Sequence, residues 1–265
     1  MIQNLHAHTT FCDGKNTVEE MVLQAINLGL KSFGFSGHSP ISIENDYCMT
    51  ELTQYMAEIN KIRKKYEEKC EVFMGIELEY LFPIDVSKFD YSISSVHIIQ
   101  KNGYYLEIDN KKEIQIDDVK KYYNGDFLEY IRDYYDAVIN ASKTGDILGH
   151  FDLVTKFNRL NDLFDENSLE YREIAVKSLE KCIKNGIIIE INTGAISRGY
   201  IDRFYPAPYL LDILKEANAK IIITTDAHST DGINCFYDKS IQILKKYGFK
   251  KQMYLTKSGF DEMNL

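Results

Sequence analysis

Proline is scarce in this chain. It occurs four times in 265 residues, and two of the four, Pro206 and Pro208, fall together where a helix is expected to begin. No stretch rich in Pro, Gly and Ser divides the sequence, and no internal repeat or low-complexity segment is visible, so residues 1–265 read as a single domain. Cysteine is thin as well. Cys12, Cys48, Cys70, Cys182 and Cys235 are scattered, odd in number and never spaced as CxxC. That argues against a disulfide frame or a zinc–thiolate site and suits a reducing compartment. Basic charge is also short: 31 Lys and Arg against 40 Asp and Glu leave a net charge of −9, the wrong sign for a nucleic-acid scaffold. No apolar run is long enough to span a bilayer. Met1–Leu5 lacks the charged-then-apolar pattern of a secretory signal. The expectation is a cytoplasmic protein acting on a small molecule, with neither nucleic acid nor membrane as partner.

What the sequence does contain is alternation. Short apolar runs at Ile2–His6, Ser32–Ser36, Val72–Ile76, Tyr91–Val96, Ile147–Gly149, Ile187–Ile191 and Ile221–Thr225 read as strands. Between them lie amphipathic stretches. Thr17-Val18-Glu19-Glu20 is a capping box that opens a helix ending near Gly29. Further helices are expected over Glu51–Lys69, Phe127–Thr144, Asn167–Asn185, Pro208–Asn218 and Asn234–Tyr247. Strand then helix, repeated, implies a parallel sheet with right-handed crossovers, and the length suits an α/β barrel. One stretch breaks the rhythm. Between Gln100 and Asp118, Tyr104–Ile108 and Glu113–Ile116 flank Asp109-Asn110 and Lys111-Lys112, which reads as a hairpin inserted after the fourth strand. It lies beside His97 and is either part of a substrate wall or a surface hairpin.

Histidine is the other rare residue, and its six copies are not scattered. His6, His38, His97, His150 and His228 each follow an apolar run, and His8 lies one side-chain alternation beyond His6. Carboxylates join them. Glu77 ends the strand Gly75-Ile76-Glu77, where a buried charge needs a partner or a cation. Asp226 repeats with His228 the two-residue spacing of His6 and His8, and Asp13 follows in Phe11-Cys12-Asp13-Gly14. Glu79 shares a strand face with Glu77 and is expected either to be solvated or to support a ligand. Neutral imidazole and carboxylate are ligands for transition metals such as zinc, manganese or iron.

Nine such residues exceed the needs of one ion, and three ions fit them better. Three divalent ions bring about +6. The three carboxylates remove about 3 and a bridging hydroxide about 1, leaving about +2, which matches a phosphate monoester dianion.

These residues resemble the polymerase and histidinol phosphatase (PHP) superfamily of metal-dependent phosphoesterases, and within it the monofunctional bacterial histidinol-phosphatase branch. The resemblance rests on His6-Ala7-His8-Thr9-Thr10-Phe11-Cys12-Asp13-Gly14, Gly34-Phe35-Ser36-Gly37-His38, Gly75-Ile76-Glu77, Gly149-His150-Phe151-Asp152-Leu153-Val154, Glu190-Ile191-Asn192-Thr193-Gly194-Ala195 and Asp226-Ala227-His228. It implies a distorted seven-stranded (β/α) barrel with a trinuclear site at the C-terminal strand ends. By that resemblance His6, His8, Glu77 and Asp226 hold the first ion, and Glu77 bridges to a second held by His97 and His150. Asp13, His38 and His228 hold the third. Many relatives have histidine where this chain has Asp13, a change that hardens the third site.

Two arginines past strand ends are candidates for phosphate, since a guanidinium fork matches its oxygens. They are Arg198, after the sixth strand, and Arg159, after the fifth; the alternative for each is a surface salt bridge. The implied reaction is hydrolysis of L-histidinol phosphate to L-histidinol and phosphate, a step of histidine biosynthesis. A metal-bridging hydroxide is the nucleophile, Asp226 and Glu77 act at the reacting centre, and His38 and Arg198 touch the substrate. Recognition of the leaving group would fall to loops and to the inserted hairpin. The rival readings are a PHP phosphoesterase for another ester (a nucleotide, an oligonucleotide end or phosphotyrosine) and a non-catalytic metal-binding module.

Overall fold

Seven parallel strands form the centre of the computed structural model, which describes residues 2–265. In chain order the strands are β1 (Gln3–Asn4), β2 (Ser32–Phe35), β3 (Glu71–Glu79), β4 (Tyr91–Ser95), β5 (Ile98–Lys101), β6 (Tyr104–Glu107), β7 (Ile147–Leu148), β8 (Ile188–Asn192), β9 (Ile221–Thr224), β10 (Lys251–Thr256) and β11 (Gly259–Asn264). The central sheet runs β1-β2-β3-β4-β7-β8-β9, every neighbour parallel.

The sheet curls until its two edges meet. Just past β1 and β9, Ala7 bridges Ala227, with His8 N donating to Ala227 O at 2.8 Å and Ala227 N to His6 O at 3.0 Å. One turn of the seam lower, a side chain completes the closure. Asn4 Oδ1 accepts from Thr225 N at 3.0 Å, and Asn4 Nδ2 donates to Thr225 Oγ1 at 2.7 Å. The primary amide carries the donor and acceptor of a peptide group, so it replaces a missing ladder step. The result is the seven-stranded α/β barrel expected.

Inside, Leu5, Phe73, Tyr91, Ile93, Ile147, Ile188 and Ile222 form one buried cluster. The Tyr91 hydroxyl lies within bonding reach of the Leu5 carbonyl and of the Phe35 carbonyl, the latter at 2.9 Å. A Cβ at Gly75 would lie 2.3 Å from the Tyr91 ring, which is why that strand position carries no side chain. Outside, helices cover the barrel with their apolar stripes. Phe127–Ala141 buries Tyr130, Ile131, Tyr134, Tyr135 and Val138 at helical spacing. The capping box holds, with Thr17 Oγ1 accepting from Glu20 N at 3.3 Å and Glu20 Oε2 from Thr17 N at 2.8 Å. The stretch expected as one helix over Pro208–Asn218 is a 3-10 turn, Pro208–Leu210, leading into Leu211–Glu216.

The insertion differs from expectation. Its hairpin is β5–β6, turning at Asn102 and Gly103, both with positive φ. Glu113–Ile116 is not a strand but part of a helix, Lys112–Tyr122. The apolar alternation there does not mark the buried face. Ile114 is exposed, while the polar Gln115 is buried and donates to Val154 O at 3.3 Å. The C-terminal hairpin β10–β11 was not foreseen either. It seals the base of the barrel, Leu255 N donating to Gln3 Oε1 at 2.7 Å and Met253 and Leu255 joining the interior cluster. Among the described residues no helix is long and apolar enough to cross a membrane.

If Asn4 closes the seam, Asn4→Ala leaves the buried Thr225 amide without a partner and costs about 2 kcal/mol of stability. Urea unfolding of the two proteins measures this, and an unchanged midpoint would remove the side chain from the closure.

Candidate metal centre

Barrel closure brings the strand ends into one ring, and the side chains singled out at those ends converge. The centre is Glu77, near the end of β3 and almost wholly buried. Its two oxygens face different partners. Oε2 lies 3.3 Å from His6 Nε2, 3.5 Å from His8 Nε2 and 3.0 Å from His38 Nδ1. Oε1 lies 3.0 Å from His150 Nε2 and 3.5 Å from His97 Nε2, and accepts from Ser95 Oγ at 2.6 Å. Burial by itself raises the pKa of a carboxyl group, but the imidazoles of His6, His38 and His97 hold Glu77 well below its usual range.

Two further carboxylates flank this centre. Asp226 Oδ1 is 3.2 Å from His8 Nε2 and 3.6 Å from His6 Nε2. Asp13 lies 3.4 Å from His8 Nδ1, 3.7 Å from His38 Nε2 and 2.9 Å from His228 Nε2. Three overlapping groups have ligand atoms close enough to share an ion: His8, Asp13, His38 and His228; His6, His8 and Glu77; and His38, Glu77 and His97. His38 therefore faces two groups, Nδ1 toward Glu77 and Nε2 toward Asp13, where the sequence assigned it to one. Among the described residues, His6 Nε2, His8 Nε2 and Glu77 Oε2 are buried without a hydrogen-bond partner although they point at one another. Convergent buried lone pairs with no donor between them suit a cation. The donor set of imidazole and carboxylate fits zinc, manganese or iron.

Outside these groups, buried carboxylates orient the rings. Glu190 Oε1 is 2.5 Å from His6 Nδ1 and accepts from Thr224 Oγ1 at 2.7 Å, while Glu190 Oε2 accepts from His150 N at 2.7 Å. Glu79 is buried rather than solvated. Its Oε2 accepts from His97 N at 3.0 Å and sits 3.1 Å from His97 Nδ1. Fixing one ring nitrogen presents the other toward the cavity. The role of Glu190 was overlooked in the sequence, although a carboxylate inside the apolar run Ile187–Ile191 was the available signal.

The two arginines part company. Arg198 lines the cavity, donating to Asp226 Oδ2 at 3.0 Å and to Asp226 O at 2.8 Å, with His228 Nδ1 at 2.8 Å from the same guanidinium. Arg159 is not brought to the site. It pairs with Asp202 at 3.1 Å on the surface, where both side chains are mostly exposed. The turn Arg159–Asn161 swings outward with Leu160 and Asn161 at positive φ, so the surface salt bridge is the correct reading. The cation that this loop does supply is Lys156, which lines the cavity and bonds Asp109 Oδ2 at 3.0 Å. Burial raises the Asp109 pKa, but the Lys156 ammonium and the imidazoles of His97 and His150 together more than offset it and hold it at about 2. The cavity above the histidines measures about 640 Å³, enough for a small organic phosphate.

Fold and site together define an α/β barrel with a cluster of candidate metal ligands at its C-terminal strand ends. The chain belongs to the PHP domain family, which it matches over residues 4–194. It is 24% identical over 263 residues to the histidinol-phosphatase of Bacillus subtilis, covering 89% of this chain and 97% of that one. It is 25% identical over 256 residues to the histidinol-phosphatase of Lactococcus lactis, covering 92% and 90%. The fold matches the crystal structure of the Lactococcus lactis histidinol phosphate phosphatase complexed with zinc, L-histidinol and phosphate. The TM-score is 0.74 at 22% identity over 98% of both chains.

Glu190→Gln removes the charge facing His6 Nδ1 without changing size. The expected result is a 10–100-fold weaker zinc affinity, of the order that loss of such a partner costs, read by competition against a chromogenic chelator. Unchanged affinity would show that Glu190 does not tune the ring.

Proposed function

We propose that this chain is a phosphomonoesterase that hydrolyses L-histidinol phosphate to L-histidinol and phosphate. The observation that carries the reading is the division of Glu77, whose two oxygens each face a separate set of imidazoles. Such a carboxylate is placed to join two divalent ions, and the remaining ligands provide for a third. On this reading His6, His8, Glu77 and Asp226 hold one ion, Glu77, His97 and His150 a second, and Asp13, His38 and His228 the third. Zinc is named in the structure of the Lactococcus lactis relative, and manganese or iron suits the same donors. Bound there, the ions supply Lewis acidity and lower the pKa of water toward neutrality. Arg198 is held by Asp226 and His228, so its guanidinium is already ordered when phosphate arrives, and little side-chain entropy is lost on binding. His38, between two ligand groups, flanks the same phosphate position.

The substrate follows from the similarity to histidinol-phosphatases over nearly the whole chain. Residues 1–265 are taken as one phosphatase domain, with a small phosphate monoester as partner rather than nucleic acid or membrane. A cytoplasmic setting is in keeping with five free thiols.

The test is elemental analysis of the purified protein with rates on L-histidinol phosphate, an aryl phosphate, a phosphotyrosine peptide and single-stranded DNA. Three ions per chain and preference for L-histidinol phosphate are expected. Fast turnover of DNA alone would sink the assignment, and an active preparation with fewer than two ions would sink the shared-carboxylate arrangement. Glu77→Ala is expected to lose two ions and Asp13→Ala one. Arg198→Ala should lower kcat/KM about 100-fold, as loss of a charge-stabilising donor does, with metal content retained.

A further inference from the structure

The two ends of the cavity differ in chemistry. One is Arg198 resting on Asp226 and His228. At the other, beyond His38 and His97, the wall includes Asp46, Tyr47, Glu107, Asp109 and Asn110. Tyr47 packs edge-on against the His38 ring with centroids 4.9 Å apart, and lies 6.0 Å from the His97 ring. Its hydroxyl is buried and has no hydrogen-bond partner among the described residues. A phenol held away from water finds an acceptor or costs free energy, so an unpaired one at the edge of a substrate cavity marks where a ligand atom belongs.

Glu107 ends β6 and Asp109 follows it, so the inserted hairpin delivers both. Asp109 is occupied, bonded through its carbonyl and its carboxylate to Lys156 Nζ at 2.9 and 3.0 Å. Among the described residues Glu107 is bonded by the neutral amide of Asn110 and by no cation, which leaves its charge uncompensated. This end of the cavity therefore offers one hydroxyl donor and a net negative charge, to which Asp46 adds, beside a centre that takes a phosphate.

We infer that Tyr47 and Glu107 form a leaving-group subsite that selects phosphomonoesters of nitrogenous amino alcohols. Glu107 pairs with the ammonium of the leaving alcohol, and Tyr47 donates its hydroxyl to an unprotonated ring nitrogen. The inference rests on the phosphomonoesterase reading above and deepens it. L-Histidinol carries both groups. An alcohol with neither, such as glycerol, leaves the buried hydroxyl and the carboxylate unpaired and is disfavoured.

The experiment compares L-histidinol phosphate with sn-glycerol 3-phosphate, both primary alkyl phosphates with similar leaving oxygens. Steady-state constants are measured for the metal-loaded wild type, Tyr47→Phe and Glu107→Gln, and L-histidinol binding is followed by calorimetry. Each substitution is expected to lower kcat/KM for L-histidinol phosphate by about 10–100-fold, mainly through KM, as loss of a charged or buried hydrogen bond does. L-Histidinol affinity should fall in parallel, while glycerol phosphate turnover and inhibition by inorganic phosphate stay unchanged. Equal losses on both substrates, or no loss on either, would overturn the subsite. A wild type without preference for L-histidinol phosphate overturns the substrate assignment and the subsite with it. A wild type whose preference survives both substitutions overturns the subsite alone.

Discussion

The rest of the site depends on one buried carboxylate. Glu77 sits inside a ring of imidazoles contributed by strand ends that are far apart in sequence, and both of its oxygens are used. A lone carboxylate in such a place would pay a heavy desolvation cost. The fold meets it by assembling positive or polarisable groups on every side. That assembly requires the barrel to be closed. His6 and His8 stand just past the first strand, Asp226 and His228 past the last, and the Ala7–Ala227 bridge makes them neighbours. The seam is thus both a structural joint and the reason that Asp226 reaches His8.

The same geometry creates a tension that protein groups alone do not relieve. His6 Nε2, His8 Nε2 and Glu77 Oε2 are buried with no hydrogen bond among the described residues, while the opposite nitrogens of His6 and His97 are fixed by Glu190 and Glu79. The rings are therefore oriented in advance and held away from other partners. Side chains ordered in this way lose little entropy when an ion arrives, and the affinity forgone in stability reappears as metal affinity.

How much of this was visible beforehand follows from where each signal lies. Strands and helices were legible because their apolar runs are local and periodic. The six histidines, Glu77 and Asp226 were legible because they fall at or just past apolar runs, and Asp13 because it completes the motif that begins at His6. What failed was non-local. Arg159 and Lys156 stand three residues apart in one loop, and only the outward turn at Leu160 and the partners Asp202 and Asp109 decide which reaches the cavity. Glu113–Ile116 alternates like a strand, yet its buried residue is Gln115, chosen by a carbonyl at Val154 that no local pattern reveals. The C-terminal hairpin was missed for the same reason, since its role depends on Gln3, some 250 positions away.

These differences separate the parts of the molecule that are free to vary from those that are not. The histidine end of the cavity is built on strand ends whose positions are set by the parallel ladder and the closed seam, so a change in one of these side chains disturbs others through Glu77. The wall facing the leaving group is built differently. Glu107 and Asp109 belong to a two-stranded insertion that pairs only with itself, outside the central sheet. Tyr47 belongs to the loop after β2, tied back by Met49 N to His38 O at 3.2 Å. Residues there lie outside the ladder that sets the barrel register. A barrel that fixes the chemistry of phosphate release in its sheet, and leaves the identity of the alcohol to an appended hairpin and loop, can change substrate without rebuilding its metal centre.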